Sequence, residues 1–451
     1  MIVLRGGRVV SPDGIEQRDV YIENGKIAEA GTPDEVVDVR GMLLFPGFID
    51  SHTHLDMPVS GTVTADDFAS GTAAALVGGT TMILDFATQE RGGTLAEALA
   101  LWHSRADGHC AADYGFHMAV TDWNEATRRE MADMLGEGVA SFKAYMAYDA
   151  LRLGDDDLRA LLREAGRLGC YVGVHCELGD EVTRRVAAEL ALGHSEPKYH
   201  PLSRPNVVEA EAVQRLLTLA REAEAPCWVV HLSTHEGLAA IEAARAAGQR
   251  VLVESCPQYL TLTDEVYARP GFEGAKFVCS PPIRKAEDKA ALWRAAAGGE
   301  VDIISTDHCS FNFKNQKELG LHNFSLIPNG LPGLEQRPAL IWSEGVAKGR
   351  ITAQQMCAML AEKPARAFGL WGRKGALNVG FDADIVVWDP DYRGEIRAAA
   401  QETNCDYSPW EGWPVTGRAR QVYLRGELSA ENGHCLRRCG GQYIPRRPAL
   451  I

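Results

Sequence analysis

The sequence predicts an α/β fold: a (β/α)8 barrel carrying a smaller β-sandwich domain built from both chain ends. Three observations predict it. Between about residue 44 and residue 370 the chain holds eight short apolar runs, at 43–50, 80–86, 114–120, 139–144, 171–175, 227–231, 250–254 and 301–307. Stretches with helical periodicity follow most of them, for example 66–77, 94–106, 155–168, 207–223, 237–247 and 285–297, so strand and helix alternate. Outside that region, both ends show brief apolar bursts broken by turn residues.

Taken in order, the first bursts are Ile2-Val3-Leu4, Arg8-Val9-Val10, Val20-Tyr21-Ile22 and Lys26-Ile27-Ala28. Gly6-Gly7, Pro12-Asp13-Gly14 and the hairpin dipeptide Asn24-Gly25 separate them. The same texture returns at 383–390 and 420–426, so the two ends are expected to meet, with 1–48 and 374–451 forming the sandwich and 49–373 the barrel. Eight strand-helix units in about three hundred residues is the count for a closed barrel. A doubly wound open sheet is the runner-up, but the Gly-rich phosphate turn expected after an early strand is not there.

The bulk numbers narrow the function classes. A hydrophobic fraction of 46% with 24% charged residues is that of a globular protein, and a net charge of −15 disfavours nucleic acid and anionic membrane as partners. A small ligand is expected. The amino terminus lacks the pattern of a secretory signal and no apolar run could span a bilayer, so the expected compartment is the cytoplasm. Eleven cysteines without a Cys-x-x-Cys pair fit reduced thiols, and Cys435 and Cys439 are read as structural.

In a (β/α)8 barrel the chemistry sits at the carboxyl ends of the strands. The first expected strand ends in His52 and His54, which, two apart on extended chain, point to one side. Read alone, such a pair serves equally well as polar residues at a strand terminus. The other strand ends add Lys143, His175, His231 and Asp307. Four histidines and a carboxylate suit two divalent ions such as zinc, with room for a bridging water. Lys143 stands out, because an ammonium aimed at two dications would be expelled. Carbamylation by carbon dioxide would turn it into an anionic ligand able to bridge both ions. Taken singly, it could instead pair with a barrel carboxylate and face away.

Together these residues resemble the cyclic amidohydrolases of the amidohydrolase superfamily, specifically the dihydropyrimidinases and D-hydantoinases. The resemblance covers nearly the whole chain. Its motifs here are Pro46-Gly47-Phe48-Ile49-Asp50-Ser51-His52-Thr53-His54, Gly78-Gly79-Thr80-Thr81, Phe142-Lys143-Ala144-Tyr145-Met146-Ala147-Tyr148, Ser203-Arg204-Pro205, Glu254-Ser255-Cys256-Pro257-Gln258-Tyr259-Leu260, Ser280-Pro281-Pro282-Ile283-Arg284, Ser305-Thr306-Asp307-His308-Cys309, Pro328-Asn329-Gly330 and Asp406-Tyr407-Ser408-Pro409. The resemblance implies a homotetramer with two Zn2+, or other divalent ions, in each chain. His52, His54 and Asp307 would hold one ion, His175 and His231 the other, and N6-carboxylated Lys143 would bridge them. Departures are small: Cys176 and Leu178 stand where the family more often has Ala and Asn, and Ser310 replaces a common proline.

The implied reaction is hydrolytic opening of a dihydropyrimidine or 5-substituted hydantoin to an N-carbamoyl amino acid. Asp307 would act as base and then acid, and Tyr148 matches the family tyrosine that donates to the developing oxyanion. Ser280 and Asn329 match positions whose main-chain groups pair with the ring imide. Substituent choice is expected in the loops around 57–59 and 149–151. The resemblance also implies that dihydroorotase, a rival within the superfamily, meets its substrate carboxylate with an arginine just after the His-x-His pair. Here that stretch reads Leu55-Asp56, which would repel a carboxylate. An allantoinase-like cyclic ureide hydrolase stays the alternative, although Gln258 and Tyr407-Ser408-Pro409 look more like the dihydropyrimidinase branch. Retention of all six ligands speaks against a non-catalytic scaffold relative. His117 is expected in the core, His308 turned away from Asp307, and Trp410 and Trp413 packing or at a subunit contact.

Overall fold

A computed structural model describes residues 1–59 and 61–449; Ser60 and the last two positions of the expected 374–451 segment lie outside the described residues. Eight strands pair in sequence order, all parallel: β1 Phe48–Thr53, β2 Thr80–Thr88, β3 Asp113–Ala119, β4 Ser141–Tyr145, β5 Tyr171–His175, β6 Cys227–Val229, β7 Val251–Ser255 and β8 Ile303–Ile304. Both faces of each strand are covered, which is why the sequence shows them as continuous apolar runs rather than alternating ones. Helices α1 Phe68–Gly78, α2 Leu95–Ala106, α3 Glu125–Gly136, α4 Asp155–Arg167, α5 Gly179–Ala191, α6 Asn206–Glu222, α7 His235–Ala246 and α8 Ala286–Gly298 connect them.

The ring closes between β1 and the short β8. Thr53 bridges to His308 in parallel register, and the His54 N–H donates to the His308 carbonyl at 2.8 Å. Below that, the fully buried Arg337 donates from Nη1 to the carbonyls of Ile49 and Ile304, at 2.9 Å each.

The apolar run 43–50, expected as one strand, is two. Leu43–Pro46 pairs antiparallel with residues 385–388 in a seven-stranded sheet built from both chain ends, and the chain then crosses at Gly47 into β1. A Cβ at Gly47 would lie 2.1 Å from the Thr81 hydroxyl and 2.9 Å from Cβ of Asp384, so only glycine lets the crossing pass. A second, four-stranded sheet comes from the amino-terminal segment alone, and its Asn24-Gly25 turn has φ of +51° and +75°, as the hairpin dipeptide requires. The two sheets share a core that includes Val20, Ile22, Ile385 and Val387.

A buried cation helps to join the terminal sheet to the barrel. Lys374 Nζ lies 2.6 Å from Asp113 of β3, 2.6 Å from Asp384 and 3.0 Å from Asp382. The three carboxylates hold its pKa above the ordinary lysine range although burial opposes the charge. Lys374→Met would leave buried Asp384 without a cationic partner, while Arg425 stays on Asp113 and Lys26 and Arg373 stay on Asp382. The expected loss is about 3–5 kcal/mol, read as a lower urea midpoint, whereas an unchanged midpoint would show that the cluster contributes nothing.

Candidate active site

At the carboxyl end of β1, the two-residue repeat turns His52 and His54 the same way, and both reach one carboxylate. His52 Nε2 lies 3.2 Å and His54 Nε2 3.1 Å from Oδ1 of Asp307. The turn beyond β1 is fixed by Asp85, whose Oδ2 accepts from the Thr53 hydroxyl and the Leu55 N–H, at 2.9 Å each. Fully buried Glu254, at the end of β7, accepts from His52 Nδ1 at 2.7 Å and so leaves Nε2 to face Asp307. The ligand atoms of His52, His54 and Asp307 lie within 4.8 Å of one another.

A second pair stands beside the first. His175 Nδ1 is 3.0 Å from His231 Nε2, and the His231 ring lies 5.5 Å from that of His52. His175 is oriented by Glu177, 2.8 Å from its Nε2, and Arg204 donates to the same carboxylate oxygen at 2.5 Å. His231 ends the expected run 227–231 but lies beyond β6, which stops at Val229. Three of the chain's non-glycine residues with positive φ are site residues: Tyr148 at +68°, His231 at +37° and Asp307 at +51°. Such backbone is costly for a side chain and persists where the surrounding structure enforces it.

Lys143 rises from β4 into the space between these groups and is fully buried. No carboxylate pairs with it among the described residues; its Nζ lies 4.8 Å from the ring centre of Phe86 and 5.4 Å from that of Tyr145. Burial pulls its pKa down to about 8 against the pull of Asp307 and Glu254. Burial also disfavours the charge on Asp307, yet His52, His54 and His231 hold its carboxyl well below the usual range.

The donor set has unmet capacity. His52 Nε2, His54 Nδ1 and His231 Nδ1 are buried without a hydrogen-bond partner. Imidazole nitrogens around an ionised carboxylate form a set that fits a divalent cation, and the unpaired His52 Nε2 is one that faces Asp307. Two other clusters of ligand-type side chains differ. Asp113, Asp382 and Asp384 enclose Lys374, and the exposed His235 and Glu236 meet Asp288, whose Oδ1 already accepts from the N–H and ring Nδ1 of His235.

Around the mouth, the half-buried Tyr148 places its ring 5.2 Å from that of His175, and burial pushes its hydroxyl up to about 12. Ser280 and Asn329 come together, with Asn329 Nδ2 donating to Ser280 Oγ at 3.0 Å. The six expected ligands therefore converge. Glu254 and Arg204 stand inside motifs quoted above without a role, and Glu177 has none there either, although a carboxylate ending an apolar run such as 250–254 is a usable signal.

Other expectations resolve here. His117 is core, bonded to Ser141 Oγ at 2.6 Å and the Ser51 carbonyl at 3.0 Å. His308 turns away from Asp307 to Asp66, 3.1 Å away, and its Nδ1 accepts from the N–H groups of Gly333 and Leu334. Trp410 is buried and donates to Thr261 Oγ1. Ser310 accepts from the Asp66 N–H at 3.0 Å, binding the loop after β8 to the loop after β1. The Asp56 carboxylate is met by Arg105 of α2 at 3.7 Å.

The profile of the amidohydrolase family matches residues 43–428, which span β1 to β8 and every expected ligand. The chain belongs to the amidohydrolase family. Within the family it is 44% identical to a D-hydantoinase of Streptomyces coelicolor, over 98% of this chain and 97% of that protein. It is 38% identical to a D-phenylhydantoinase of Escherichia coli, over 99% and 98%. The crystal structure of a dihydropyrimidinase from Brevibacillus agri superposes with a TM-score of 0.98 at 41% identity, covering 99% of this chain and 98% of that one. Among the described residues, no helix of this amidohydrolase is long and apolar enough to cross a membrane.

Because Glu254 fixes the ring of His52, Glu254→Gln is expected to weaken divalent-metal affinity by roughly 10–100-fold while the fold is retained. Metal titration of the stripped protein, with circular dichroism as the control, checks this; unchanged affinity would remove Glu254 from the orienting role.

Proposed function

We propose that this chain is a D-hydantoinase/dihydropyrimidinase-type cyclic amidohydrolase, opening 5,6-dihydropyrimidines or 5-substituted hydantoins to N-carbamoyl amino acids. The observation that carries this is the convergence of His52, His54, His175, His231 and Asp307 on a buried lysine that has no carboxylate partner among the described residues. His52, His54 and Asp307 would hold one divalent ion, His175 and His231 the other, and carboxylated Lys143 would bridge them; zinc fits the nitrogen-rich donor set. Carbamate forms from the neutral amine, and at pH 7 an amine with a pKa of about 8 is about one-tenth neutral, far more than an ordinary lysine. When bound, the two ions supply a water that ionises near neutral pH.

The chain's own groups do the rest. Asp307, ionised at neutral pH, takes the proton of the attacking water as its oxygen bonds to the ring carbonyl carbon. The Tyr148 hydroxyl stays protonated and donates to the oxygen that gains charge. As the ring C–N bond breaks, Asp307 returns its proton to the departing nitrogen, so one water is added overall. Main-chain groups of Ser280 and Asn329 hold the imide edge and set the ring's orientation. Residues around 57–59 and 149–151 would choose the substituent, and a homotetramer is the proposed assembly.

Ultraviolet loss across a panel of dihydrouracil, 5-substituted hydantoins, allantoin and dihydroorotate tests the substrate class with metal-loaded protein. Turnover of the first two is expected; turnover of only allantoin or dihydroorotate, or of none, would contradict it. Lys143→Ala should be inactive and partly restored by short carboxylic acids, which supply the missing bridging oxygens. Full activity without them would refute the bridging role.

A further inference from the structure

Ser280 and Asn329 belong to two different loops, after β7 and after β8, yet one side chain outside the proposed ligand set grips both. Lys317, fully buried, donates from Nζ to the carbonyls of Val278 at 2.8 Å, Pro328 at 2.6 Å and Gly330 at 2.8 Å. An ammonium has three N–H donors and no acceptor, so all three are used. No carboxylate pairs with it among the described residues, and the ring centre of Phe311 lies 5.6 Å away. Burial draws its pKa down to about 8, so the charge is held by carbonyl dipoles rather than by a counter-ion.

The pattern of bonds around it is selective. The Val278 carbonyl also accepts from the Gly330 N–H at 3.0 Å, which ties the two loops directly. The Cys279 carbonyl accepts from His200 Nε2 and the Pro281 carbonyl from the Tyr259 hydroxyl, at 2.8 Å each. Every carbonyl flanking Ser280 and Asn329 is therefore taken. The carbonyls of Ser280 and Asn329 themselves have no protein partner among the described residues.

We propose that Lys317 is a positioning residue for substrate recognition: by locking the peptide groups on either side, it holds the free main-chain groups of Ser280 and Asn329 at a fixed spacing that reads the imide edge of a cyclic substrate. The inference rests on the cyclic-amide activity proposed above and adds to it the group that sets its ring selectivity. Removing the ammonium leaves the carbonyls of Pro328 and Gly330 unpaired and only the Gly330 N–H to Val278 bond between the loops, which loosens them, while the ligands on β1, β4 and β5 are untouched. Loss of one well-aimed hydrogen bond to the imide corresponds to on the order of tenfold in affinity.

The test uses metal-loaded enzyme hydrolysing dihydrouracil, with glutarimide and N-methylglutarimide as competing ligands; the second lacks the imide N–H. Wild type should bind glutarimide on the order of tenfold more tightly than its N-methyl form. Lys317→Met should raise KM and the glutarimide inhibition constant by a similar factor, bring the two inhibition constants together, and leave metal content and kcat nearly unchanged. Lys317→Gln keeps two donors, should fall between, and carries the same measurement if the methionine variant does not fold. A ratio unchanged in the variants, or no preference in wild type, would overturn the role of Lys317. Failure of wild type to hydrolyse any ring would instead overturn the proposed function.

Discussion

The site depends on closing the barrel between its first and last strands, because Asp307 reaches His52 and His54 only if β8 lies against β1. The seam is short of ladder bonds, since β8 spans two residues. Side chains do the closing. Asp50 Oδ1 accepts from the N–H groups of His52 and Thr306, at 3.2 Å each, so one carboxylate sets both sides of the metal-ligand mouth. Arg337 takes the carbonyls of Ile49 and Ile304, which would otherwise be buried without partners at a cost of several kcal/mol. The loop beyond β1 is then bound to the loop beyond β8 through Ser310 and through the pair of His308 and Asp66.

Three buried lysines show how local chemistry decides what a buried amine does. Lys374 sits among three carboxylates, keeps its charge and holds the terminal sheet to the barrel. Lys317 sits among three carbonyls, which satisfy its protons but supply no counter-charge, and it braces two loops. Lys143 has neither: histidines and the faces of Phe86 and Tyr145 surround it, and burial leaves its amine easily deprotonated. Of the three, it is the one beside the histidines and Asp307, and the proposed carbamate would give it the negative charge that the surrounding histidines lack.

Much of this architecture is legible in the sequence because buried parallel strands leave unbroken apolar runs, and all eight runs overlap a barrel strand. The ligands are legible for a related reason: histidines, a lysine and an aspartate at the ends of such runs violate the apolar pattern where a barrel puts its chemistry. What escaped the sequence depends on three-dimensional contact. Residues 43–50 read as one strand because both halves are apolar; only the lack of room for a Cβ at Gly47 shows that two sheets share the run. Helices α3 and α5, which are not among the expected helical stretches, bury few of their own side chains. Glu177 and Glu254 look like ordinary acids until their histidines are placed, and the positive φ of Tyr148, His231 and Asp307 has no signature in residue type. Asp56 shows the converse, a suggestive charge in the right stretch that Arg105 claims.

The central claim is that a carboxylated Lys143 completes a two-metal centre. Native mass spectrometry of gently purified protein weighs both at once. The account predicts a chain carrying two divalent ions and the mass of one added carbon dioxide, with the carbon dioxide absent and the metal content reduced in Lys143→Ala. An active chain at its bare sequence mass plus metal, with no carbon dioxide, would contradict it.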